Sequence, residues 1–152
     1  MILDTYLEFA DATSVGTPNN STVTIGYIID LTASGVADPG QAGLYFVVQV
    51  TTAIGSGGAA TVSFQLASDS TTTIAVDGSQ TIHYTSDVFA LATLVAGFTL
   101  AVKCPTRKGV AYERYLAFQI IENAGQALNA GAVNAFLTSD VNNWTAFADA
   151  TN

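Results

Sequence analysis

This sequence is poor in positive charge. Of 152 residues only four are Lys or Arg, against twelve Asp or Glu, for a net charge of −8. Phosphate contacts require Lys and Arg, so nucleic-acid binding is not expected as the main role. Histidine occurs once, as His83, and cysteine once, as Cys104. A single cysteine excludes an intramolecular disulfide and a cysteine zinc site within one chain. A single histidine excludes a histidine cluster for a catalytic metal. No cofactor is expected. Charged residues of either sign make up 11%, where an ordinary soluble domain has about 25%. Such a surface is expected to be covered in part by partners, which points to a homo-oligomer or a component of a larger assembly. The other reading is a monomer with a neutral Thr/Ser surface.

Long apolar runs are also scarce. The longest uncharged stretch of interest, Val88 to Val102, is shorter than the ~20 residues of a spanning helix and contains Thr93, Gly97 and Thr99. It reads as two core strands with a turn near Ala96-Gly97, so no membrane association is expected. The opening Met1-Ile2-Leu3-Asp4 lacks the basic region of a signal peptide. Without a secretory signal, the sequons at Asn20 and Asn143 carry little weight.

What is present is β pattern. Val23, Ile25, Tyr27, Ile29 and Leu31 recur with period two, as do Leu44, Phe46, Val48 and Val50, then Ala60, Val62, Phe64 and Leu66. Gly55-Ser56-Gly57-Gly58 between the last two runs predicts a hairpin. Thr72 to Val76 reads as a short strand ending at the turn pair Asp77-Gly78. Thr81 to Leu94 is strand-like at its start, and Phe89 to Leu94 is the nearest approach to a helix. Phe98, Leu100 and Val102 alternate again. Tyr112 to Ile121 puts Arg114, Leu116, Phe118 and Ile120 on one face, and Ala132 to Leu137 is the last strand. About eight strands with no long amphipathic helix imply an all-β fold, an antiparallel jelly roll or β-sandwich. One domain spans 1–152, with 1–12 as a candidate N-terminal arm and 142–152 as a C-terminal tail anchored by Trp144 and Phe147.

Catalytic chemistry is thinly represented. A Ser-His-Asp triad through His83 is formally available, but no G-x-S-x-G elbow accompanies it, and a lone His among β residues is usually structural. Gly55-Ser56-Gly57-Gly58 lacks the Lys and the helix of a phosphate loop. The acids Asp30, Asp38, Asp69, Asp77 and Asp87 fall at turns and strand ends and read as turn residues. No enzyme activity is expected. All four cations, Lys103, Arg107, Lys108 and Arg114, fall within twelve consecutive residues. This segment is the candidate contact site, for the shell of an assembly or for another copy of the chain. A basic patch relieves the repulsion between copies each at −8. The local alternative is that Arg114 pairs with a carboxylate across the sheet while the lysines keep an edge soluble.

Several motifs, taken in order, resemble the jelly-roll capsid cement, or decoration, proteins of tailed bacteriophages. They are Met1-Ile2-Leu3-Asp4, the run Leu44 to Val50, Ala59 to Leu66, Glu113-Arg114-Tyr115-Leu116, and Asn129 to Leu137. Residues 68–94 lie outside these motifs. The resemblance implies a non-enzymatic virion protein on the outer surface of an icosahedral head, made in the host cytoplasm. Its partners would be the major capsid protein and further copies of itself, as a homodimer or homotrimer. The competing class is a carbohydrate- or receptor-binding module of a virion, with Tyr112, Tyr115 and Trp144 as candidate platform residues.

Overall fold

The computed structural model describes residues 5–106 and 109–141. Residues 1–4 of the expected arm and the whole expected tail, with Trp144 and Phe147, lie outside the described residues. Nine strands form: β1 (Glu8–Ser14), β2 (Thr22–Asp30), β3 (Tyr45–Ser56), β4 (Thr61–Asp69), β5 (Thr81–Thr85), β6 (Phe89–Ala90), β7 (Thr99–Lys103), β8 (Tyr115–Glu122) and β9 (Leu128–Thr138). They make two antiparallel sheets, one ordered β1-β9-β3-β7 and the other β2-β8-β4-β5, with the two-residue β6 also paired to β4. The pairs β1·β9, β2·β8, β3·β7 and β4·β5 are nested, as in a long two-stranded ribbon rolled onto itself. This is the jelly-roll arrangement that the alternating pattern predicts.

The core lies between the sheets and is aromatic at its centre. Phe46 of β3 meets Phe118 of β8 at 5.8 Å between ring centroids, and Phe118 meets Phe64 of β4 at 6.1 Å. All three side chains are fully buried. Their burial outweighs the cost of ordering the chain, and the tilted rings add specific contacts across the layers. Residues 88–102 supply β6, a 3-10 turn at Leu91–Thr93, a reversal at Gly97 and β7. Among the described residues no helix is long and apolar enough to cross a membrane.

Four expectations are corrected. The glycine turn at residues 55–58 does not close a hairpin. β3 runs into the expected turn on β9, pairing Gly55 with Ala130 and Ser56 with Leu128, and the reversed chain enters the other sheet as β4. Residues 72–76 are not a strand. The Asp69 carboxylate accepts from the amides of Thr71 and Ala75, which curls the segment over the sheet and seats Ile74 on Ala67 and Ala117. Tyr27 does not share the core face with Ile25 and Ile29. Four residue steps from Ile25 to Ile29 oppose only two from Phe118 to Leu116, and this bulge throws Tyr27 into solvent. Gly26 makes the bulge feasible: its φ is +72°, and a Cβ there would collide with the carbonyl of Phe9. Arg114 does not lie on the core face either; it precedes β8 and its side chain is 54% exposed.

Candidate functional site

The basic segment connects β7 to β8, and so runs from one sheet to the other. Lys103 is the exposed last residue of β7, opposite Tyr45. Arg107 and Lys108 lie outside the described residues. Arg114 stands at the far end, where its Nε and Nη2 donate to the Asp30 carboxylate at 3.2 and 2.9 Å. Its guanidinium also lies 4.9 Å from the Tyr115 ring centroid. The hydrogen-bonded ion pair with Arg114, helped by backbone amides, holds the Asp30 carboxyl below its ordinary value against the opposing effect of burial. Arg114 is thus engaged across the sheet, as the local alternative anticipated. Among the described cations, that leaves Lys103 free to meet a partner.

The turn at residues 38–44 walls the segment. The Cys104 amide donates to the Leu44 carbonyl at 2.9 Å, and Gly40 packs so closely on Pro105 that a Cβ would strike the Pro105 carbonyl. The Tyr112 hydroxyl donates to that same carbonyl at 2.8 Å. Asp38 accepts through Oδ1 from the amides of Gly40 and Gln41 and so shapes the wall. Burial, with a contribution from Asp38, pushes the Cys104 thiol up to about 12, so it stays protonated and inert.

Behind the segment lies a cluster that, among the described residues, most resembles catalytic machinery. Ser68 Oγ is 2.7 Å from His83 Nε2, and the Glu113 amide donates to the same Ser68 oxygen at 3.0 Å. His83 stacks on Tyr112 at 3.8 Å between centroids, with 16° between planes. Burial lowers the histidine pKa to about 4, although Glu113 and Asp38 pull the other way. The imidazole is therefore neutral near pH 7 and could accept a proton. Ser68 is fully buried, however, so its hydroxyl has no path to a substrate. The geometry suits an internal tie that joins β4, β5 and the start of β8. Glu113 extends it by accepting from the Thr81 hydroxyl at 2.6 Å. Among the described residues no group of three His, Cys, Asp or Glu side chains could hold a metal ion.

Two of the three residues of the proposed aromatic platform fall among the described residues. Tyr112 is buried in its stack on His83, and Tyr115 is partly buried beneath Arg114. Trp144 lies outside the described residues. Sequence reasoning also missed a polar row on the outer face of the second sheet. Thr85, Gln65, Gln119 and Thr24 hydrogen-bond in succession across β5, β4, β8 and β2, and Gln119 also donates to the Ala75 carbonyl of the covering loop. Its signal was a glutamine at the middle of each of two strands that supply the core, Gln65 in β4 and Gln119 in β8. Buried amides on neighbouring strands satisfy one another only in a fixed register.

No curated protein matches this chain. A family model, Bbp16, matches residues 9–137, from the first buried position of β1 to the penultimate residue of β9. That span takes in every strand of both sheets, and the chain belongs to the Bbp16 family.

Proposed function

We propose that this protein is a capsid cement protein of a tailed bacteriophage. In this reading it binds the outer surface of an icosahedral head and bridges neighbouring major capsid subunits, without catalysis. The observation that carries the reading is a jelly roll of low charge content, 11% of residues, whose four cations all fall within the twelve residues from the end of β7 to the start of β8. Large interfaces are depleted in charge at their centre. Many weak contacts of this kind, repeated over a shell, add up through avidity. The ordered motifs shared with jelly-roll cement proteins support the same reading. Lys103, Arg107 and Lys108 are the residues proposed to meet the shell or a second copy; Arg114 positions the connection through Asp30.

The direct experiment is co-sedimentation with undecorated phage heads, paired with light scattering for the mass in solution. A dimer or trimer that pellets with heads is expected. The double variant Arg107→Glu with Lys108→Glu should keep the fold and lose head occupancy or self-association. Unchanged occupancy would overturn the assignment of these residues, and a wild-type protein that ignores heads would overturn the cement reading itself.

A further inference from the structure

A groove of about 660 Å³ opens where the edge strands of the two sheets, β1 and β2, come together. Its lining includes Tyr6, Glu8, Asp11, Thr13, Tyr27 and Asp30, and no Lys or Arg. Tyr27 is 74% exposed and Tyr6 67%, the two most exposed large apolar side chains among the described residues. The exposure of Tyr27 is built in, because the β2 bulge aims it there and Gly26 permits the bulge. Bulges that re-aim a side chain at a sheet edge commonly serve a binding surface.

Of the three carboxylates of the groove, Asp30 is already paired with Arg114, whereas Glu8 and Asp11 are unlike most others in the chain. Asp30, Asp69, Asp77, Glu113 and Glu122 all accept hydrogen bonds from nearby groups. Glu8 and Asp11 accept none through their carboxylates from the described residues, although they sit beside two exposed rings. Asp87 is likewise without a partner but lies outside the groove. Among the described residues no three acids converge tightly enough for a metal ion. The groove therefore suits a cation that is larger and softer than a metal. Lys and Arg side chains fit this description: their stems lie along aromatic faces, their charge is drawn to the ring, and separate carboxylates can share it.

We infer that this groove docks a basic segment of a partner protein, with a Lys or Arg side chain laid against Tyr27 and Tyr6 and its charge met by Glu8 and Asp11. A molecule at −8 attracts such a segment at long range, and the tyrosines fix where it settles. The inference stands apart from the cement reading, since it follows from the groove alone.

The test is a nuclear magnetic resonance titration of the full chain with acetylated tetralysine amide at low salt. Shifts confined to β1, the β2 bulge and Ala33 are expected. Tyr27→Ala and Asp11→Asn should each weaken binding roughly three- to fivefold, and Asp87→Asn should leave it unchanged. Tyr27 and Asp11 are exposed, so neither variant should disturb the fold. Shifts spread over all the acidic turns, or equal weakening by Asp87→Asn, would reduce the effect to net charge and overturn the site. A neutral oligosaccharide that shifts the groove residues when the peptide does not would also overturn it.

Discussion

The two ends of β8 solve opposite problems with a carboxylate. At the start of the strand, Asp30 meets Arg114 in an exposed ion pair, the only one among the described residues. At the other end, Glu122 is 1% exposed and, among the described residues, has no cation acting on it. Its oxygens accept from the amides of Asn20, Ala124, Gly125 and Gln126 at 2.7 to 3.2 Å. Burial alone would raise the Glu122 pKa; these four amides outweigh it and bring the carboxyl below its ordinary value. A chain with few cations thus secures its acids with backbone. Asp38, Asp69 and Asp77 follow the same rule in their turns. The lesson concerns energetics as well as inventory. A water-exposed ion pair contributes little, whereas a buried acceptor of several amides cannot be removed without orphaning each of them.

The largest expected effect is therefore at Glu122. Glu122→Ala should lower stability by about 2 kcal/mol, because four part-buried amides lose one shared acceptor at once. Urea midpoints measure this directly, and a loss under about 1 kcal/mol would erase the contrast between the two ends.

Acid should remove stability in two stages. The folded His83 pKa lies near 4, below its ordinary 6.5, so the unfolded chain binds a proton that the folded chain refuses. Stability is then lost as pH falls from about 6.5 towards 4. Glu122 is also depressed, so its contribution is complete above its ordinary 4.5 and disappears as pH drops through its lower folded value. His83→Asn should flatten the first stage and leave the second. If the variant retains the slope between pH 6.5 and 4.5, another group is responsible.

Arg114→Ala is the smallest effect. It should barely move the urea midpoint, and the difference should shrink further as salt is added. A larger, salt-insensitive loss would mean that the stack on Tyr115, and not the charge, secures this end of β8.

Much of this fold could be read from the alternation of residues. Phe46, Val48, Phe64, Leu66, Leu116 and Phe118 occupy the core face that period two assigns to them. The alternation could not show which strands are covered on both sides. Val47, Ala67, Ala117 and Gln119 point away from the core and are nonetheless buried. Period two marks one face as apolar; it carries no information about a loop laid over the other. Tyr27 escaped for a different reason, since a bulge leaves the residue spacing intact while changing the partner spacing. Of the candidate site, the clustering of cations was plain in the sequence. The partner of Arg114 was not, because Asp30 lies 84 residues away and becomes its neighbour only once β2 and β8 pair.

That nested pairing also dictates an order of events as the chain emerges. β4 and β5 can pair as soon as both exist, but β1 must wait for β9, where Glu8 meets Phe136. Within its sheet β9 lies between β1 and β3, so until the last strand arrives both present open edges to any neighbouring chain. Folding should accordingly be slow, as in other folds dominated by distant pairings. A chain cut short before Leu128 would lose the strand that joins its first half together, and would be left with two unsealed edges in place of a closed roll.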